Sequence, residues 1–156
     1  MAEETGSAGV ASGGVVCSFC SRRAAISQKA TGLHLCQEHF VQDFERRVAS
    51  TLEKNGMIRD GERIAVAVSG GKDSSALLLS LHKILAGRDV ELVAVTVDEG
   101  IAGYRDDTIS AARSAASSLG IEHVIVSFRE EFGYDLDEMV RGKNVAPCTY
   151  CGVFRK

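Results

Sequence analysis

The 156-residue sequence holds no run of about 18 apolar residues, so no helix in it is expected to span a bilayer. Its start, Met1-Ala-Glu-Glu-Thr-Gly-Ser, lacks the basic and apolar regions of a secretory leader. Together these absences set the expectation of a cytoplasmic chain with no membrane partner. Charge of one sign is not in large excess either: the formal net charge is −3. The molecule as a whole is therefore not an obvious polyanion binder. In a reducing compartment, five cysteines argue against disulfides and for bound metal or reactive sulfur.

What is present suits a soluble globular protein, with 45% apolar and 25% charged residues. The length allows one α/β domain with a real core and a small appendage. Charge is unevenly spread. Residues 98–138 carry ten acids against three bases, whereas residues 139–156 carry four bases and no acid. Segment 17–39 sets Arg22, Arg23 and Lys29 against Glu38. Local basic patches are thus available to RNA although the total is acidic.

Residues 1–14, rich in Gly, Ala and Ser, read as a disordered leader. Residues 15–39 follow as a zinc finger. Cys17-Ser-Phe-Cys20 and Cys36-Gln-Glu-His39 are two pairs at the same spacing, each able to place two ligands on one tight knuckle. Cys17, Cys20, Cys36 and His39 are the expected tetrahedral Zn²⁺ set, structural and closed. His34 breaks the pairing and is the poorer candidate. Residues 40–59 read as a linking helix. Phe40, Phe44, Val48 and Leu52 recur every fourth position from about His39 to Asn55, with Asn55-Gly56 as the stop. Arg46, Arg47, Glu45, Glu53 and Lys54 occupy its other face, which reads as solvated, with RNA contact as the alternative.

Residues 60–156 begin the main domain. Strand 64–68, helix 74–86, strand 90–97, helix 104–119 and strand 121–127 alternate in the order of a doubly wound parallel α/β sheet. Gly87 and Gly120 fall where helix-ending glycines belong. The nearly continuous apolar strands predict a sheet covered on both faces. In such sheets ligands bind outside the carboxyl ends of the strands, where the loops Ser69–Ser74 and Asp98–Gly103 fall.

The first loop carries the densest signal. Ile64-Ala-Val-Ala-Val68 runs into Ser69-Gly70-Gly71-Lys72-Asp73-Ser74-Ser75 and then into a Leu-rich helical pattern. A buried strand, a glycine turn and a helix start aim backbone N–H groups and the positive helix end at one spot, which suits a phosphate. Lys72 adds a point charge, and the serine hydroxyls add donors. A Walker A loop is excluded by Val66 and Asp73, and G-x-G-x-x-G does not occur. Asp73 beside phosphates fits Mg²⁺ coordination or loop orientation. In the second loop, Val97-Asp98-Glu99-Gly100-Ile101, Asp98 reads equally as a Mg²⁺ ligand or a helix-capping acid. The backbone around Val95 would border an adenine. Near the end, Pro147-Cys148-Thr-Tyr-Cys151-Gly opens a helix, and its cysteines read as half a metal site, a redox pair or a sulfur-carrying nucleophile.

The Ser-Gly-Gly-Lys-Asp-Ser stretch after Val-Ala-Val resembles the PP-loop of the ATP pyrophosphatase superfamily, whose fold is adenine nucleotide α-hydrolase-like. Taken with the finger, Val-Asp-Glu-Gly-Ile and Pro-Cys-x-Tyr-Cys-Gly in this order, the chain is similar to the TtuA/TtcA-type tRNA 2-thiolation enzymes, closest to the TtuA branch. The resemblance implies that Val68 and Ser69 to Ser75 bind ATP with Mg²⁺, and that a tRNA uridine is adenylated at its C2 oxygen before sulfur replaces it. It also implies that Lys72 and Asp73 are catalytic, and that Cys148 and Cys151 are two of three ligands of a [4Fe–4S] cluster. The implied partners are tRNA and a thiocarboxylated ubiquitin-like sulfur carrier, with a homodimer left open. The family continues for roughly as long again, so residues 60–156 are expected to form the N-terminal part of the ATP-binding domain. The alternatives are another PP-loop ligase of lysidine or amidotransferase type, a non-catalytic zinc and nucleotide-binding module, and a redox C-x-x-C protein.

Overall fold

The computed structural model describes residues 14–101, 103, 105–142 and 146–154. Nearly all of the leader and Tyr104 in the second loop lie outside them. The chain divides after Ser50 into two compact units.

The first unit is a minimal two-stranded scaffold. Strand β1 (Ile26–Ser27) pairs antiparallel with β2 (His34–Leu35), and helix α1 (Gln37–Lys54) follows at once. Among the described residues this segment has almost no apolar core, its buried apolar residues being Cys17, Leu35 and Cys36. Such a segment needs a staple. Helix α1 starts two residues before the expected position, so His39 sits in its first turn. Its fourfold apolar repeat is less buried than the periodicity predicts, with Phe40 and Phe44 each 39% exposed. The buried residue of α1 is instead Asp43, because Gln28, Arg46 and Arg47 surround its carboxylate with donors. A fully paired charge can be buried where a lone one cannot.

The second unit alternates strand and helix: β3 (Glu62–Ala67), α2 (Lys72–Ile84), β4 (Val90–Asp98), α3 (Arg105–Ser118) and β5 (Glu122–Ser127). Three short helices complete it, α4 (Phe128–Phe132), α5 (Leu136–Val140) and α6 (Pro147–Phe154). The strands are parallel in the order β3-β4-β5, with Ala67 opposite Val95 and Val95 opposite Val124. The elements agree with the sequence expectation to within a few residues at each end. Gly87 and Gly120 lie just past α2 and α3 with positive φ, and the Ile121 N–H reaches back to the Ala116 carbonyl at 3.0 Å to close the α3 end.

Among the described residues, helices α2 and α3 cover one face of the sheet. Sequential strand order with right-handed crossovers puts α2 and α3 on the same face, and the two helices pack on each other. That face is the core, where Val66, Val68, Leu78, Leu81, Ala94, Thr96, Ala112 and Ala116 are buried. On the opposite face Ala65, Ala67 and Val124 remain exposed. There Arg63 forms ion pairs with Glu91 and Glu122 on the two following strands. On that same face Val93 of the central strand is buried.

Candidate functional site

In the first unit, four ligand atoms converge. His39 Nδ1 lies 3.4 Å from Cys17 Sγ and 3.3 Å from Cys36 Sγ, and Cys20 Sγ lies 3.8 Å from Cys36 Sγ. All four ligand atoms fall within 4.8 Å of one another. With metal–sulfur bonds of about 2.3 Å, tetrahedral sulfurs stand about 3.8 Å apart, and the Cys20–Cys36 separation matches that value. The electrostatics agree. Burial raises the Cys17 thiol, but backbone N–H groups at Cys36, Phe19 and Cys20 outweigh it and bring it down to about 6. The Arg22 guanidinium, 3.5 Å away, lowers Cys20. For Cys36 the His39 backbone N–H pulls down, yet burial and the neighbouring Cys20 and Cys17 sulfurs win and push it up. Cys17 and Cys20 are thus biased toward the thiolate form that binds metal, and a cation among the three sulfurs would offset the crowding that raises Cys36. His34 stays outside the set, with its Nδ1 2.7 Å from Ser27 Oγ.

In the second unit, β3 ends against β4, where the Val68 N–H donates to the Val95 carbonyl at 2.8 Å. Val68 is thereby sealed in the core, and the chain turns outward at Ser69. The turn is held by its own serines. Ser74 Oγ accepts from the Ser69 N–H at 3.2 Å, contacts Ser69 Oγ at 3.2 Å and donates to the Gly71 carbonyl at 3.1 Å. Gly70 has φ +79° and packs so tightly on α3 that a Cβ would run into the Thr108 carbonyl. Two independent reasons thus require glycine there. Helix α2 begins at Lys72, with Gly71 as its N-cap in extended conformation. The Lys72 and Asp73 side chains pair at 3.0 Å and are 89% and 90% exposed. Both are free to turn toward a ligand at the mouth of the loop. An exposed pair of this kind adds little to stability.

The second loop leaves the carboxyl end of β4. Asp98 Oδ1 accepts from the Gly100 N–H at 2.9 Å, so the acid shapes its own loop. Val95 lies three positions before the strand end, with its carbonyl taken by Val68. Beneath the loop, Glu99 is 2% exposed and ion-paired with Arg105, itself 8% exposed at the start of α3. Arg105 also donates to the Val97 carbonyl. The Glu99 carbonyl accepts the Leu136 N–H at 2.8 Å, which docks the start of α5. A Cβ at Gly100, where φ is +70°, would strike the Asp135 carboxylate. Helix α6 carries both late cysteines: Cys148 is exposed, and Cys151 Sγ lies 4.0 Å from Glu99 Oε1.

The structure thus places Ser69 to Ser75 at the end of β3, and Asp98 and Cys151 around the end of β4. The zinc-type set stands in the other unit. Sequence reading missed the Glu99–Arg105 pair. Its only signal is an acid and a base six positions apart at a strand-to-helix connection, which nothing marks as buried. Thr96 was missed too. It is 1% exposed, donates to the Val68 carbonyl at 2.6 Å, and lies 2.8 Å from His123 Nε2.

Comparison with known proteins points one way. Residues 40–142 match the PP-loop domain family, and residues 16–41 match the 2-thiouridine synthetase TtuA N-terminal LIM domain. The chain is 39% identical over 150 residues to tRNA 2-thiolation protein NcsA of Haloferax volcanii, covering 90% of this chain and 46% of that protein. It is 39% identical over 149 residues to cytoplasmic tRNA 2-thiolation protein 1 of Drosophila melanogaster, covering 91% of this chain and 43% of that protein. Among solved structures, the U34-tRNA thiolase NcsA from Methanococcus maripaludis, with its [4Fe–4S] cluster, superposes with TM-score 0.79 at 35% identity. The match covers 90% of this chain and 46% of that one. An NH3-dependent NAD synthetase from Campylobacter jejuni, at 16% identity and TM-score 0.50, shares the fold alone. The chain spans less than half the length of the curated relatives it matches.

Proposed function

Because the chain belongs to the PP-loop family and carries a TtuA-type LIM segment ahead of the loop, we propose that it provides the nucleotide-binding and zinc-finger portion of a cytoplasmic tRNA 2-thiouridine synthase. The observation that carries the reading is the pairing of an intact, outward-facing Ser69–Ser75 loop with a cysteine brought to the end of the neighbouring strand. A lysidine- or amidotransferase-type ligase would share the loop but has no use for the finger and the late cysteines.

ATP would lie with its phosphates over the loop, where the N–H groups at the start of α2 and Lys72 meet the pyrophosphate. Asp73 would hold Mg²⁺ on those phosphates, which removes the repulsion a carboxylate otherwise causes. The uridine C2 oxygen attacks the α-phosphate, the bond to the β-phosphate breaks, and pyrophosphate leaves with its charge met by Lys72. Sulfur then adds at C2, and the C2–O bond breaks to release AMP. Zn²⁺ in the Cys17, Cys20, Cys36 and His39 set would be structural, since four protein ligands leave no open position. Cys148 and Cys151 would give two ligands to a [4Fe–4S] cluster, whose chemistry is to hold the incoming sulfur. Three of the five cysteines belong to the finger, so the donor set within this chain is two. A thiocarboxylated ubiquitin-like carrier is the sulfur donor of this reading, and a homodimer is compatible with it.

The test is AMP release from ATP labelled at the α-phosphate, with and without tRNA. Release that depends on tRNA and is abolished by Lys72→Ala supports the reading. Release unchanged by Lys72→Ala rejects it.

A further inference from the structure

The Glu99–Arg105 pair is costly to bury and is not used by the chemistry above. Taking both charges out of water is repaid only by close geometry and further partners, and apolar residues of similar size commonly do as well for stability alone. The partners found here are informative. Arg105 ties the carboxylate to the Val97 carbonyl at the end of β4 and to the first turn of α3. The Glu99 backbone carbonyl holds Leu136 at the start of α5, and α5 packs on α6. Arg129 on α4 secures the same corner from the far side through Asp135 and Glu138. The second carboxylate oxygen, Oε1, stands 4.0 Å from Cys151 Sγ. Cys148, one turn earlier on α6, is exposed.

We propose that Glu99, clamped by Arg105, is a positioning residue that fixes the Cys151 sulfur at the carboxyl end of β4, beside the second loop of the nucleotide site. The role is exerted through Cys151 and rests on the sulfur function proposed for that cysteine. Arg105 holds the carboxylate from the helix side through Oε2, and Oε1 meets α6 at the Cys151 sulfur. Loop 98–100 thereby becomes the shared part of the nucleotide end and the sulfur end.

The test uses the zinc-loaded, iron-free, reduced 156-residue chain. Iodoacetamide modification is followed separately at Cys148 and Cys151 by peptide mass, with Cys148 as the internal control. In the unaltered chain Cys151 is expected to react about tenfold more slowly than Cys148. Glu99→Leu/Arg105→Met fills the same space without charge and is expected to keep the melting temperature within about 3 °C. In that variant Cys151 should speed up to match Cys148, whose own rate stays fixed. A purely structural pair predicts the opposite: no change in either rate in the folded double variant, which overturns the proposal. Equal rates in the unaltered chain overturn it too. Should the double variant melt, Glu99→Asp carries the comparison, since it keeps the ion pair and withdraws the carboxylate by one methylene. A narrowed gap supports the clamp, and an unchanged gap refutes it. No tRNA or ATP enters the measurement, so failure of the thiolation reading shows in AMP release and leaves this result readable.

Discussion

Gly70 and the Thr108 carbonyl approach so closely that no side chain fits between the phosphate loop and the first turns of α3. This contact ties the loop after the first strand of the sheet to the helix after the second. Gly70→Ala meets two obstacles at once: a φ of +79° that costs an L-residue roughly 1–2 kcal/mol, and an overlap with backbone that cannot rotate away. The loop should shift outward and the nucleotide site should suffer more than the fold. ATP affinity is expected to fall at least about tenfold, by calorimetric titration, with a melting shift of a few degrees. Unchanged affinity would show that the close approach has no bearing on the ligand.

Lys72 gives the complementary case. Among the described residues it pairs with Asp73, and both side chains are about nine-tenths exposed, so their attraction contributes little to folding. Lys72→Met should leave the melting temperature within about 1–2 °C while ATP binding drops by about tenfold or more. Thermal unfolding and titration on the same sample separate the two effects.

The reverse dissociation is expected in the finger. Cys17, Leu35 and Cys36 are too few buried apolar groups to hold residues 15–36 together, so the metal would supply most of the order, on the order of 10 kcal/mol. A strong chelator, or Cys36→Ser, should abolish amide protection around β1 and β2. Protection in β3, β4 and β5 should persist, because they belong to a separate compact unit. Hydrogen exchange read by mass spectrometry checks both halves of the statement.

These expectations divide along the line between what was legible in the sequence and what was not. The metal set and the phosphate loop are local patterns: two ligands per knuckle, and a glycine turn between strand and helix, each contained in a few consecutive residues. Local chemistry survives projection onto one dimension, and the sequence reading located both. Gly70 with Thr108 and Thr96 with His123 join residues far apart in the chain, whose meeting depends on strand register and helix placement that the hydrophobic pattern constrains but does not number. Glu99 and Arg105 are near in sequence, but their burial is set by the packing around the β4–α3 connection. Asp43 shows the same limit inside one helix. It sits on a face that reads as solvated, and Gln28 on a different element makes its burial tolerable.

The Thr96–His123 contact sets a pH dependence whose sign follows from geometry. Thr96 has one hydroxyl proton, and it goes to the Val68 carbonyl 2.6 Å away. His123 Nε2, 2.8 Å from the same oxygen, must therefore be the protonated ring nitrogen and the donor. Burial disfavours a charged ring here, and Arg113 adds repulsion, so the His123 pKa is lowered in the folded state. The unfolded chain then binds the proton more readily than the folded one. Stability is fully present above the ordinary histidine value of about 6.5 and is lost as pH falls through the lowered folded value. His123→Gln keeps an N–H donor for Thr96 and cannot titrate. Its stability at neutral pH should stay close to that of the unaltered chain, and the decline below about pH 6.5 should be shallower. Denaturant melts of both proteins across pH 5 to 7.5, about the range in which histidine changes charge, decide the matter. Parallel curves would mean that His123 contributes nothing to the acid limb. The consequence reaches the nucleotide site, since Val68 is the last buried residue before the loop and Thr96 is the group that holds its carbonyl in place.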